Sequence, residues 1–305
     1  MTKLKILNNI SDHGRAIVLL VIGAFGISFS PAIAKLLGQN IIGPTAIGFW
    51  RTAIGGVVLC LIALAGRKSL KLPLPVAAWC IFTGFFFFLD LSIWHRSILY
   101  VGSGMSTVLG NTQVFITALL SYFLFKEKLS LRFILSAVAA LCGVAMLVGV
   151  LSQSVQFTPI YIRGIVYGLL TALMYALYMV GIKKASSYKS KPDPLIIMAW
   201  ICCSASVFLG AGSYFEEAPF LPPDLYAVSL ITALGVIIQA LTWWLITHAM
   251  RKVAVHHAAL VLLLQPILAM VWGYFFFTEV LALSQVLGAV IALTAIYVGS
   301  TKKKN

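Results

Sequence analysis

The chain has 305 residues and a formal net charge of +14, with 61% of its residues hydrophobic and 10% charged, against about 25% charged in an ordinary soluble domain. So few polar residues cannot cover a water-facing surface, whereas a bilayer accepts apolar side chains on the outside as well as the inside. A soluble enzyme is therefore excluded, and ten helices of roughly 20 residues each leave only short loops.

Taken in chain order, apolar runs punctuated by Gly, Pro and charge predict transmembrane spans at 16–37, 44–65, 75–98, 104–125, 131–150, 163–184, 194–214, 225–248, 255–277 and 283–300. The fold expected is all-α and polytopic. Lys and Arg fix its orientation: Lys3, Lys5 and Arg15 precede the first span, and further clusters follow the second, fourth, sixth and eighth spans and close the chain. With ten spans, 18 of the 22 basic residues fall on one side. That side is cytoplasmic by the positive-inside rule, and both termini lie there. The first run fills a whole span, so it reads as a helix rather than a cleaved signal peptide. The basic clusters are topology signals and imply no nucleic acid. Cys60, Cys80, Cys142, Cys202 and Cys203 all sit in apolar stretches without zinc-type spacing, so no metal site, disulfide framework or cofactor is expected.

Polar residues inside spans cost about 2.5–3.5 kcal/mol each when ionisable and call for a partner or a role. Arg51 in the second span and Asp90 in the third lie at matched depth, about 10–12 Å below the outer surface. They are expected to pair, facing a cavity. Asp90 then either carries a coupling proton or binds a cationic part of a solute, or the pair is static and fixes helix packing. Trp94 follows Asp90 by one turn on the same face, while Arg96 reads as an interfacial anchor or an anion attractor at an outer mouth. Asn111 and Gln113 lie near mid-depth in the fourth span and Gln265 in the ninth, offering amides to a zwitterion or bonding between helices. Tyr175, Tyr178 and Trp243 are aromatic candidates for the same cavity. Pro266 predicts a kink in the ninth span. Ser28-Phe29-Ser30-Pro31, with Gly23 and Gly26, reads as a gate element or as close packing. His256-His257, with His248 one loop away, invites a metal or proton-relay reading, but adjacent helical histidines point about 100° apart and no Asp or Glu is expected nearby, so the pair reads as interfacial.

The sequence repeats itself with opposite topology. QVFITALLSYFLFKEKLSLRFILSAVAAL from Gln113 aligns without gaps to QPILAMVWGYFFFTEVLALSQVLGAVIAL from Gln265, with twelve identities in 29 positions that include Tyr122/Tyr274 and Glu127/Glu279. Five spans per copy is odd, so the second copy enters the membrane from the other side. Two units, 16–150 and 163–300, thus form an inverted five-helix repeat, a mark of secondary transporters.

SYFLFKEKL (121–129), GYFFFTEVL (273–281) and Gln265-Pro266 carry a resemblance to the drug/metabolite transporter superfamily, ten-helix EamA type, across nearly the whole chain. The resemblance implies a carrier of small metabolites, often amino acids or related compounds, with a central cavity between the halves. Val114 stands where the second half has Pro266, so only the ninth span is expected to be kinked. The expected function is secondary-active, alternating-access transport of a small polar solute across a bacterial cytoplasmic membrane, without ATP and with a proton as candidate coupling ion. A channel, or a membrane enzyme acting on a lipid-linked substrate, are the alternatives. The enzyme would need a carboxylate, histidine or metal cluster that the spans do not show. A homodimer is left open.

Overall fold

The computed structural model describes residues 12–37, 42–147, 158–216, 218–277 and 283–300. Within them the chain is helical without strands: α1 (Asp12–Ile27), α2 (Ser30–Leu37), α3 (Pro44–Ala65), α4 (Leu74–Asn111), α5 (Gln113–Phe125), α6 (Leu131–Leu147), α7 (Pro159–Ser186), α8 (Pro194–Tyr214), α9 (Leu225–Ala233), a π-helical segment (Leu234–Thr242), α10 (Trp243–Ala249), α11 (Val255–Leu262), α12 (Leu264–Phe277) and α13 (Leu283–Ser300). Among the described residues six stretches are long and apolar enough to cross a bilayer: Asp12–Ala34, Pro44–Ala65, Leu74–Val101, Pro159–Ser186, Pro194–Tyr214 and Leu225–Ala249. Four shorter apolar helical stretches accompany them, Leu109–Phe125, Leu131–Met146, Val255–Leu268 and Val286–Gly299. Glu279 and the basic residues at both termini lie outside the described residues.

Capping follows the sequence. Proline opens α3, α7 and α8 in the first turn, where its missing N–H leaves no bond unmade. Asp193 accepts from the Leu195 amide at 2.9 Å and Asp224 from the Ala227 amide at 2.7 Å, each satisfying an orphan donor at a helix start.

Helical assignment is continuous through α4, yet the path doubles back. A Cβ on Gly168 would meet Leu109 Cβ at 2.7 Å and Ser97 Oγ at 3.1 Å. Residues 97 and 109 would stand about 18 Å apart on a straight helix, so the chain reverses between them and both legs pack on α7. Tyr100 and Val101 still pack with Ser97 along α7, so the reversal lies between Val101 and Leu109, overlapping the predicted gap and the first residues of the fourth predicted span.

Two pairs of helices run antiparallel in close contact. On α3 and α8, Gly48 meets Leu209 while Gly56 meets Cys203; on α6 and α13, Gly143 meets Gly288 and Ala292 while Ser136 meets Gly299. Small residues at these points let backbones approach. The largest buried cluster joins α1, α3, α4, α7, α8 and α10, and a second joins α5, α6, α11, α12 and α13.

Several helices are interrupted, and one interruption corrects the sequence reading. The ninth span breaks at Leu263, three residues before Pro266, between α11 and α12. Its counterpart in the fourth span breaks as well, at Thr112, although Val114 replaces the proline. There the Thr112 hydroxyl donates to the Leu109 carbonyl at 2.6 Å and competes with the helical ladder, so a proline is not needed to open it. The first span breaks at Ser28-Phe29 ahead of Pro31, whose ring excludes the next bond.

Candidate functional site

A cavity of about 110 Å³ lies among these interruptions, enough for several waters or one small solute. It is lined by Ile27, Ser30 and Pro31 from the broken first span, Arg51 from α3, and Phe87, Asp90, Leu91, Trp94, Gly110 and Asn111 from the two legs of α4. From the second half of the chain come Thr171 and Tyr175 of α7, Trp243 of α10, and Gln265 and Pro266 of α12. Seven of the nine polar and aromatic residues singled out from sequence therefore stand around one space, with the kink residue Pro266 beside them.

Arg51 and Asp90 are 6% and 8% exposed, but they do not form the direct ion pair expected of them. The Arg51 guanidinium donates its Nε–H to Gln239 Oε1 at 2.8 Å and an NH1 proton to Ser30 Oγ at 3.2 Å, and lies 5.8 Å from the Phe87 ring centroid. Gln239, fully buried in the π-helical segment, in turn donates to Cys202 Sγ at 3.4 Å. Asp90 has no hydrogen bond or ion pair with any described residue, so its carboxylate oxygens keep their acceptor capacity for whatever enters the cavity.

Gln239 was missed in the sequence because one amide in the run GVIIQALTWW looks like helix glue. The signal that could have found it is its level: it is the polar residue of the eighth span that can meet Arg51. The wide π turn that carries it belongs to a class of helix distortion frequent at functional sites. Its Thr242 hydroxyl donates to Ile237 five residues back at 2.9 Å.

Two of the nine, Gln113 and Tyr178, stand outside the cavity lining. Gln113 is fully buried and accepts from Thr117 at 2.7 Å, while Gln265 approaches the Tyr175 hydroxyl at 3.5 Å. The two glutamines thus make separate contacts instead of meeting across the centre. Tyr178 stacks on Phe87 with ring centroids 4.4 Å apart and takes Trp243 edge-on at 4.8 Å, so it backs the wall that Phe87 and Trp243 present. Trp272, which sequence reading did not select, donates to Ser28 at 2.7 Å and stacks on Phe29 at 4.3 Å.

At the opposite end from the lysine clusters, Arg96 is neither free for an anion nor a simple interfacial anchor. It pairs with Glu216, whose other oxygen takes the Thr45 amide at 3.2 Å in the first turn of α3. The reading that His256 has no acidic neighbour is also corrected: the fold brings Glu127 to 3.0 Å from its Nδ1, across 129 residues of sequence.

The EamA-like transporter family pattern matches residues 14–149 and again 162–301. The chain belongs to the EamA-like transporter family. Like other EamA-like chains it is a multi-pass integral membrane protein. It is 23% identical over 271 residues to an uncharacterized transporter, YoaV, of Bacillus subtilis, covering 88% of this chain and 91% of that one. It is 25% identical over 271 residues to a chloroplastic WAT1-related protein of Arabidopsis thaliana, covering 84% of this chain and 63% of that one. An uncharacterized transporter of Archaeoglobus fulgidus is 29% identical over 138 residues, 44% of this chain and 47% of its own. The match thus spans about half of the archaeal relative and under two thirds of the plant one. A solved crystal structure superposes with a TM-score of 0.79 at 17% identity, covering 93% of this chain and 96% of that chain, which shows a shared fold.

Proposed function

We propose that this EamA-like protein is a secondary-active, alternating-access carrier of a small zwitterion, an amino acid or related compound, bound between Arg51 and Asp90. The observation that carries this reading is that a guanidinium and a carboxyl group, both buried, line one cavity without a direct ion pair between them. Buried charges left unsatisfied are costly, and proteins retain them where a ligand completes them. A solute carboxylate suits the guanidinium, whose fork still has donors beyond those used by Gln239 and Ser30. A solute ammonium suits Asp90. Phe87, Trp94, Tyr175 and Trp243 supply apolar and π surface for the rest of the solute.

Two inverted five-span units, 16–150 and 163–300, account for the antiparallel packing of α3 on α8 and of α6 on α13. Helices at corresponding places in the two copies that run antiparallel are what a two-fold axis in the membrane plane produces. In this reading the short apolar helices complete ten spans, both termini face the lysine-rich cytoplasmic side, and the membrane is a cytoplasmic membrane.

The test is thermal melting of the purified protein with a panel of L-amino acids, each compared with its methyl ester and its N-acetyl derivative. A ligand of the folded state raises the melting temperature. The reading expects at least one free amino acid to do so while its ester, lacking the carboxylate, and its N-acetyl form, lacking the ammonium, do not. Equal shifts by all three forms sink the two-charge site.

A further inference from the structure

A second polar cluster lies away from the cavity, at the lysine-rich ends of α5 and α11. Ser121 sits in the last turns of α5, Glu127 just beyond that helix, and His256 in the first turn of α11. His256 Nδ1 is 3.0 Å from Glu127 Oε2 and 3.0 Å from Ser121 Oγ, and the Ser121 hydroxyl donates to that same carboxylate oxygen. The His256 and Glu127 side chains are 3% and 17% exposed, so the contact is largely shielded from water.

The backbone is shaped to make this contact. Lys126 takes a left-handed conformation with φ of 54°, which L side chains adopt at a cost. The turn directs the amides of both Lys126 and Glu127 at the Ser121 carbonyl and swings Glu127 back over the end of α5. On the other side, Lys183 at the end of α7 donates to the carbonyls of Met250 and Val253 at 2.8 and 2.7 Å, fixing the turn that leads into α11. The Phe133 ring packs edge-on against His256 with centroids 4.7 Å apart, restricting the imidazole to the face that meets Glu127.

Ser121 and Glu127 come from the first matched unit and His256 and Lys183 from the second. Asn111 precedes Ser121, and Gln265 follows His256, by about 13–15 Å of helix rise. The cluster therefore lies between the cavity and the lysine-rich end, on the same two broken helices that line the cavity. The internal repeat makes it one-sided: in the register that aligns Gln113 with Gln265, Gly273 stands opposite Ser121 and Gly104 opposite His256. Glu279 stands opposite Glu127, but with glycines in place of the serine and the histidine that end lacks the hydroxyl and the imidazole from which this cluster is built.

We infer that Ser121, Glu127 and His256 form a latch that clamps the two halves together at the lysine-rich end and parts each time the pathway opens there. This rests on the alternating-access reading above. Because the latch is one-sided, losing it biases the resting protein toward opening at that end.

Hydrogen–deuterium exchange on the full chain in lipid nanodiscs, without solute, tests it in the wild type, Glu127→Gln, Glu127→Asp and His256→Gln. In Glu127→Gln and His256→Gln the latch account expects amides of 113–128 and 253–262 to exchange about tenfold faster or more, with amides of α3 and α8 unchanged. Glu127→Asp, which keeps the charge, restores most of the protection. Wild-type protection of both segments in the two Gln variants overturns the latch, and so does an equal rise along the whole chain. If Glu127→Gln does not fold, Ser121→Ala removes a single hydroxyl and is read in the same way. Exchange is measured without transport, so a failure of the carrier reading in a solute assay is distinguishable from a failure of the latch.

Discussion

The guanidinium of Arg51 is held 2.8 Å from the side-chain oxygen of Gln239, not by Asp90, although Arg51 and Asp90 border the same cavity. A neutral amide orients the cation without forming an ion pair with it, as a carboxylate in the same place would. Gln239→Leu therefore removes the acceptor and strands a buried charge. The expected loss is about 1.5–3 kcal/mol, seen as a lowered unfolding midpoint in detergent, whereas Gln239→Glu keeps an acceptor and retains stability while neutralising Arg51.

Close backbone approach is tested at Gly143. An added Cβ there meets the Gly288 carbonyl oxygen at 2.6 Å and the Ala292 amide nitrogen at 2.7 Å. Backbone atoms cannot rotate aside as a flexible side chain can. Gly143→Val should force α6 and α13 apart and cost about 1–3 kcal/mol. Gly110→Ala, where the first neighbour is a Thr171 methyl at 3.6 Å, should cost much less. Equal melting of the two variants would contradict the packing described.

Much of this architecture is legible in the sequence because hydropathy and charge are one-dimensional signals. The limits of α3 and α8 coincide with the predicted spans 44–65 and 194–214, each bounded by Pro, Gly or charge. The reversal between Val101 and Leu109 overlaps the loop that the pattern puts at 99–103 but extends past it, with helical backbone in place of an irregular turn. What the pattern cannot give is which face each residue presents. Arg51 and Asp90 were recognised by the cost of burying them, and matched depth suggested a pair, but Gln239 competes for Arg51 from 188 residues away. Glu127 reads in the sequence only as part of the repeat and His256 only as an interfacial residue, because their partnership is purely tertiary. The break at Thr112 escaped notice since a hydroxyl bonding backward has no signature as plain as proline.

Asp193 illustrates a cap and a salt bridge sharing one carboxylate. It accepts from the Leu195 amide at 2.9 Å and pairs with Lys68 at 2.6 Å. Burial pushes its carboxyl up, but the bonds from Lys68 and Leu195 outweigh this and hold it below its ordinary value of 3.8. A depressed carboxylate lends stability that is complete above the ordinary value and is lost as pH falls through the lowered one. Asp193→Ala should cost about 0.5–2 kcal/mol at neutral pH through the lost cap, and the difference from wild type should shrink in acid below about pH 3.8. Lys68→Ala removes only a half-exposed ion pair and should change stability by less than about 1 kcal/mol. Unfolding midpoints of the three proteins across pH check both statements.

The central claim is that Arg51 and Asp90 together bind a zwitterionic solute that the protein carries across the membrane. Counterflow of radiolabelled L-amino acids in proteoliposomes, compared among wild type, Arg51→Met and Asp90→Asn, tests it most directly. The account predicts saturable counterflow of at least one amino acid by the wild type, with a drop of at least about tenfold in both variants, matching the 1.4 kcal/mol or more expected from losing one charge-assisted contact. Non-saturable flux, or wild-type counterflow in both variants at equal amounts of folded protein, would contradict it.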